Sequence, residues 1–258
     1  MFQRLKEWTG QRILRYLNTP SRRYAPFFAP PLDVLRHSLQ PGDVLLIEGD
    51  TRLSTVIKFL TQSTWSHAAL FVGDAGKGET SGGEPHVLLE AYSEVGVVLA
   101  PLSKYEKFNT RICRPVGLTN EERKAVIDFA VARVGMQYDN KQIFDLARYL
   151  FPYPPVPVFF RRRMLAIGSG DPTRAICSTL IAAAFESIHY PILPETVDGA
   201  RYGIAPFVQS ETDHIRKHGL YTPRDFDISP YFSVVKPVIV ENFDYHTIKW
   251  APPNAGPD

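Results

Sequence analysis

The apolar residues of this chain occur in short runs bounded by glycine, proline or aspartate, and this punctuation limits the fold more than any other feature. The run Val44–Ile47 follows Pro41-Gly42-Asp43, and the run His67–Val72 ends at Gly73-Asp74. Short apolar runs between turn residues are typical of buried strands. No run approaches the ~20 residues that a membrane-spanning helix requires. The pattern therefore predicts a sheet of short strands.

Segments with apolar residues at helical spacing alternate with these strands. Three such segments are 51–62, 119–133 and 177–188. The second begins with Thr119-Asn120-Glu121-Glu122, a capping box in which the Thr and Glu side chains satisfy free backbone donors. Further strands are expected at 86–91, 96–99, 110–114 and 232–235. The mixture predicts an α+β fold in which a small, largely antiparallel sheet packs against helices.

The composition is that of a chain able to bury a core, with 258 residues of which 44% are hydrophobic and 22% charged. Low hydrophobicity with high net charge, the signature of disorder, is absent. Proline-rich and glycine-rich stretches indicate the boundaries. The predicted organisation is an amphipathic helix and proline-rich arm at 1–40, one domain at 41–236 with an insertion at about 151–171, and a tail at 237–258.

Charge and cysteine content exclude several classes of protein. A formal net charge of +2 argues against nucleic acid as a partner, because nucleic-acid-binding domains are usually strongly basic. Two cysteines are too few for a disulfide framework, and residues 1–18 lack the pattern of a secretory signal, so a cytoplasmic location is expected. Residues 1–18 instead predict a basic amphipathic helix. It either docks on its own domain, the favoured interpretation, or makes peripheral contact with an anionic membrane surface.

Three residues at the ends of predicted elements have the side chains of a thiol-based active site. Cys177 lies in the first turn of a helix, where free backbone N–H groups favour the thiolate. His67 begins an apolar strand, and Glu90 ends another apolar run. Each alone has an ordinary structural explanation, since free cysteines are usually buried small hydrophobic residues. Together they match a nucleophile, a base and a group that orients the base. Cys113, inside a predicted strand, is expected to be structural.

Short motifs then follow one another in an order that is known from one family. They are Pro41–Leu46, Ser66–Gly73, Leu89–Ala91 with Gly96-Val97, Gly135–Asp139, Cys177–Leu180 and the closing segment Thr222–Val235. This order resembles that of the circularly permuted NlpC-type papain-like cysteine amidases, the YiiX/YaeF group. In that family the histidine strand precedes the cysteine helix. The resemblance implies a permuted papain-like fold.

The resemblance also implies roles for individual residues. Cys177 would be the nucleophile, His67 the general base and Glu90 the residue that orients the imidazole. Tyr138 matches a tyrosine near the active cysteine and would help to bind substrate. Backbone N–H groups at the start of the cysteine helix, those of Cys177 or Ser178, would bind the oxyanion. The implied activity is hydrolysis of an amide or ester bond through a thioester acyl-enzyme, without a metal or another cofactor.

The same residues are compatible with functions other than that of an amidase. Related lecithin-retinol-acyltransferase-like proteins act on lipids, so a lipid-directed acyltransferase or thioesterase-like hydrolase is the second interpretation. The substrate is accordingly expected to be a small molecule, a peptide or a lipid-like compound. The third interpretation is a non-catalytic ligand-binding or membrane-surface module that acts through residues 1–18 and Arg161–Arg163. An arginine run is more often a solvated loop.

A metal site is the remaining alternative. His214 and His218 are one helical turn apart, but a zinc-protease motif would need Glu where the chain has Ile215. A zinc site also needs three or four converging ligands. His67, Glu90 and Cys177 could themselves bind zinc, but they are isolated in the sequence and have no paired Cys or His spacing. The sequence therefore predicts no bound metal.

Overall fold

The structure is a computed structural model that describes residues 16, 19–20, 29–76, 80–92, 95–137, 176–193, 221–237 and 245–247. Several predictions lie outside these residues, wholly or for the most part. They are the helix at 1–18, the arm that follows it, Tyr138, the insertion at 151–171 with Arg161–Arg163, the pair His214 and His218, and the tail from 237.

The described residues form strands, α-helices and three short 3-10 helices. The strands are β1 Val44–Ile47, β2 His67–Phe71, β3 Thr80–Ser81, β4 Glu84–Tyr92, β5 Gly96–Pro101, β6 Thr110–Pro115 and β7 Phe232–Val235. The α-helices are α1 Leu32–Ser38, α2 Arg52–Thr61, α3 Asn120–Val131, α4 Ile176–Glu186 and α5 Pro223–Asp227. The 3-10 helices are Gly73–Gly76, Leu102–Tyr105 and Tyr245–Thr247.

The strands form one antiparallel sheet in the order β3-β4-β2-β1-β6-β7, with β5 also paired to β4. The central strand β1 pairs with β2 on one side and β6 on the other. Val44 lies opposite Leu70 of β2 and Cys113 of β6. All four residues of β1 are buried, which explains its unbroken apolar sequence.

Both faces of the sheet are covered. On one face, Leu46, Leu70 and Leu89 belong to a core that includes Val126 of α3 and Phe185 of α4. On the other face, Leu45, Ala69 and Leu88 pack with Leu35 of α1 and with Leu102 of the second 3-10 helix. Because successive strand residues point to opposite faces, the two cores alternate along each strand. Helix α4, which carries Cys177, is thereby held against β2 and β4.

Local sequence explains how the helices begin. Thr119 accepts a hydrogen bond from the backbone N–H of Glu122 at 3.2 Å, and the Glu122 carboxylate accepts one from the N–H of Thr119 at 2.9 Å. This is the predicted capping box, and it is confirmed. Thr51 caps α2 in the same way by accepting from the N–H of Ser54 at 3.1 Å. Side-chain caps of this kind stabilise a helix by about 1 kcal/mol.

The α+β prediction is confirmed, and β1 and β7 have the predicted bounds. Two local features differ. Thr80–Ser81 is a short strand that pairs with β4 and has no counterpart among the predicted strands. Gly82 and Gly83, at φ 60° and 87°, form the two-residue turn of this hairpin. Helix α1 has no counterpart among the sequence predictions, although it contributes Leu35 to the core.

Candidate active site

His67 and Glu90 lie on the same face of the sheet, in neighbouring strands. His67 is the first residue of β2, opposite Ile47 of β1. Glu90 lies near the end of β4, and its side chain is fully buried. Alternation along the two strands directs both side chains to one face. The imidazole Nε2 of His67 is 3.5 Å from the Glu90 carboxylate, an ion-pair contact that is longer than a normal hydrogen bond.

Cys177 meets this pair from the start of helix α4. It is the second residue of the helix and is 3% exposed. Its thiol is within hydrogen-bonding reach of the His67 imidazole and of the backbone N–H of Ala68. Since Nε2 of His67 faces Glu90, the other ring nitrogen, Nδ1, is available to the sulfur. The structure therefore brings together the three residues that the sequence selected from a strand, a second strand and a helix.

The Glu90 carboxylate has three further partners. The Tyr92 hydroxyl donates to its Oε2 at 2.9 Å, the Lys104 ammonium donates to the same oxygen at 2.5 Å, and the Tyr105 hydroxyl donates to Oε1. The ring of Tyr92 also stacks on the imidazole of His67, with centroids 5.0 Å apart and planes at 19°. Tyr92 thus fixes both the carboxylate and the plane of the imidazole.

The charges in this cluster shift one another's protonation. Burial alone lowers the pKa of His67, but the charge and hydrogen bond of Cys177 and the contact with the Glu90 carboxylate outweigh burial and raise the pKa to about 10. Burial raises the pKa of Glu90, but His67 and Lys104 more than offset this and lower the pKa to about 2. For Cys177, burial again opposes ionisation, and the His67 charge, the Ala68 N–H and the Ser178 hydroxyl together lower the pKa. These directions favour a thiolate beside an imidazolium.

Sequence reasoning missed Tyr92, Lys104 and Tyr105. A signal was present for Tyr92, because it lies two residues after Glu90 in a strand and therefore on the same face. Lys104 and Tyr105 belong to the 3-10 helix Leu102–Tyr105 after β5, and no spacing in the sequence connects them with Glu90. Tertiary packing alone brings this turn over the site.

Of the two residues predicted to bind substrate, the structure describes Ser178 and not Tyr138. Ser178 is fully buried, and its hydroxyl is 3.9 Å from the sulfur of Cys177. Tyr138 lies outside the described residues, but the chain just before it is held against β5. The carbonyl of Met136 accepts from the N–H of Val97 at 2.9 Å. A Cβ on Gly96 would lie 2.1 Å from that carbonyl oxygen, so this approach requires glycine.

No group of three or more His, Cys, Asp or Glu side chains within the described ranges is arranged to hold a metal ion. The pair His214 and His218 lies outside those ranges. Among the helices that the structure describes, none has both the length and the apolar character needed to cross a bilayer.

A comparison with known families finds a match to part of the chain. Residues 38–149 match the family described as "Permuted papain-like amidase enzyme, YaeF/YiiX, C92 family". This segment includes His67 and Glu90 and ends before Cys177. The match confirms the predicted resemblance, the permuted papain-like fold, and an enzyme of the cysteine-hydrolase class.

One solved structure similar to the chain is the crystal structure of metalloprotein yiiX from Escherichia coli O157:H7. The two chains are 16% identical, and the TM-score is 0.45. The similarity covers 77% of this chain and 97% of the other. A search of curated proteins finds no match.

Proposed function

We propose that this protein hydrolyses an amide or ester bond with Cys177 as nucleophile, His67 as general base and acid, and Glu90 as the residue that positions His67. One observation carries the proposal. Cys177, His67 and Glu90 converge from a helix and two strands in one buried cluster, in which Nε2 of His67 is 3.5 Å from the Glu90 carboxylate and the imidazole lowers the pKa of the Cys177 thiol. Perturbed groups that converge from separate elements are typical of active sites.

The acylation step begins from the Cys177 thiolate and the His67 imidazolium, which are both already ionised. The Cys177 thiolate attacks the substrate carbonyl carbon, and the carbonyl electron pair moves to the oxygen. Backbone N–H groups of Cys177 or Ser178, at the start of α4, would donate to this oxyanion. The oxyanion then collapses, His67 donates its proton to the leaving amine or alcohol, and a thioester on Cys177 remains.

Deacylation restores the thiolate. His67, now neutral, accepts a proton from water as the water oxygen attacks the thioester carbon. The bond between carbon and sulfur breaks, and the products are a carboxylic acid, the Cys177 thiolate and the His67 imidazolium. Glu90 stabilises the imidazolium of the free enzyme and holds the orientation of the ring through both steps. An acceptor alcohol or amine in place of water would give acyl transfer by the same steps.

The substrate is proposed to be a small molecule, a peptide or a lipid-like compound that carries an acyl group. Four points stay predictions. They are membrane contact through residues 1–18, a cytoplasmic location, the role of Tyr138 and the domain boundaries. The steps above depend only on His67, Glu90, Cys177 and the backbone of α4.

The acyl-enzyme can be tested without knowledge of the natural substrate. p-Nitrophenyl acetate should give a burst of one p-nitrophenolate per chain and an acetyl adduct that peptide mapping locates on Cys177. Cys113→Ala is the matched control and should keep the burst, whereas Cys177→Ala should lose it. An adduct on Cys113, or a burst that survives Cys177→Ala, would contradict the proposal.

A further inference from the structure

The buried cluster around Glu90 contains more negative charge than His67 alone can neutralise. In the reactive state Cys177 and Glu90 are both anions, and the His67 imidazolium is one cation between them. The Glu90 side chain is fully buried, so water does not compensate its charge. An uncompensated charge at such a site is strongly disfavoured, and a group in that position usually becomes neutral instead.

Lys104 supplies the missing positive charge. Its Nζ is 2.5 Å from the Glu90 carboxylate and 2.5 Å from the Tyr92 hydroxyl. The same ammonium lies over two aromatic faces, 4.6 Å from the ring centroid of Tyr92 and 5.3 Å from that of Tyr105. Cation–π contacts of this kind add to the ion pair. The ammonium is therefore held at one place by four separate contacts.

We propose that Lys104 is a positioning residue of the active site, whose ammonium neutralises Glu90 and so lets the thiolate and imidazolium coexist. The charges then alternate in sign along a row with a net charge of zero. In order, the row consists of Lys104, Glu90, His67 and Cys177. This inference rests on the proposed function and adds a residue that acts through Glu90 without touching substrate.

The groups that face Glu90 come from three elements. They are His67 of β2, Tyr92 of β4, and Lys104 with Tyr105 of the 3-10 helix. Cys177 of α4 faces His67 from its other side. Loss of the Lys104 charge leaves the row with a net negative charge. A proton then binds more readily to Glu90 or Cys177, and either protonation removes the reactive pair.

Lys104 can be changed with little risk to the fold because its side chain is 39% exposed. Lys104→Met keeps the aliphatic stem on the tyrosine rings and removes the charge. Lys104→Gln keeps a hydrogen-bond donor without the charge, and Lys104→Arg keeps the charge. Lys58→Met is a matched control, since Lys58 forms a 2.9 Å ion pair with Glu48 and not with Glu90.

The test is the pH dependence of Cys177 alkylation by iodoacetamide, followed by mass spectrometry from about pH 4 to pH 9. In Lys104→Met and Lys104→Gln, the acid limb should move to higher pH by about one unit, so alkylation on that limb is about tenfold slower. Lys104→Arg and Lys58→Met should follow the wild-type profile. A merely structural role would not move the pH profile in this charge-dependent way.

Cys113 reports in the same experiment whether each variant is folded, because its thiol is buried in the sheet with a raised pKa and should be labelled quickly only when the chain opens. If either Lys104→Met or Lys104→Gln exposes Cys113, that variant is not folded, and the pH profile of Cys177 alkylation in the other of the two is used for the test. Coincident profiles for the wild type and a folded neutral variant would overturn the role of Lys104, and so would an equal shift in Lys104→Arg. If wild-type Cys177 reacts no faster than Cys113, the proposed function itself fails, and the role of Lys104 with it.

Discussion

The two cysteines are both buried in the same sheet-and-helix core, yet their surroundings act on them in opposite directions. Cys113 is 0% exposed and Cys177 is 3% exposed. Burial, together with the Asp227 carboxylate, raises the pKa of Cys113 to about 12. Burial also disfavours the Cys177 thiolate, but His67 and the Ala68 N–H lower its pKa. Burial therefore does not decide whether a cysteine is reactive, and the polar groups that face the sulfur do.

Their places in the fold explain this difference. Cys113 is in the middle of β6, between Val44 of β1 and Val234 of β7, where the strand ladders use the backbone donors. Cys177 is near the described start of α4, and it meets β2 at the first residue of that strand, where the His67 imidazole and the Ala68 N–H face the sulfur. The interior of a sheet thus favours a neutral thiol, whereas an end of the sheet next to a helix start can hold a thiolate.

We expect the largest effect from removing the His67 imidazole, which lowers the pKa of Cys177. His67→Ala takes away the cation beside Cys177 and the base for deacylation, so acylation by p-nitrophenyl acetate should slow by about 10²–10⁴-fold. Stopped-flow release of p-nitrophenolate measures this rate. His37→Ala, on the exposed side of α1, is the matched control and should keep it. If the acylation rate of His67→Ala were within a factor of two of the wild-type rate, the claim that His67 activates Cys177 would be contradicted.

The next effect tests the charged cluster that distinguishes Cys177 from Cys113, through the pH dependence of stability. Glu90 has a folded pKa of about 2 against an ordinary value of 4.5. Its ionised form thus stabilises the fold above pH 4.5, and this contribution is lost as pH falls through 2. The free energy of unfolding should lose about 3 kcal/mol from this group over that range.

Urea unfolding of wild type and Glu90→Gln at several pH values measures this contribution. The stability difference between the two proteins should shrink as the solution becomes more acidic, since the glutamine does not titrate. A difference that stays constant down to about pH 2 would mean that Glu90 is not held as a carboxylate by its neighbours.

The smallest effect concerns Cys113 and should be on stability alone. Cys113→Ser places a hydroxyl in a core that contains apolar side chains of β1, β7 and the helices, which should destabilise the protein by about 1–3 kcal/mol. Chemical denaturation measures the change, and the p-nitrophenolate burst should keep its amplitude under native conditions. A lost burst in a protein that is still folded would assign Cys113 to the chemistry.

The sequence was sufficient for the elements that carry the site and for the three residues that meet there. β1 and the capped start of α3 follow from local patterns, because apolar runs and caps depend on neighbours in the chain. The choice of His67, Glu90 and Cys177 depended on their positions at element ends and on the order of motifs in a known family.

Features that depend on tertiary packing could not be predicted in this way. Helix α1 is short and starts directly after Pro31 with no side-chain cap, so no sequence signal indicates where it begins. Lys104 and Tyr105 reach Glu90 only because the turn after β5 folds over β4. The burial that makes these contacts effective depends on the whole domain.

The most direct test of the account is alkylation of the wild-type protein by iodoacetamide at neutral pH, with both cysteine peptides quantified over time. The thiolate is the reactive form, so Cys177 should be labelled more than about a hundredfold faster than Cys113. Equal rates for the two thiols in the folded protein, or faster labelling of Cys113, would contradict the claim that His67 and Glu90 hold Cys177 as a thiolate.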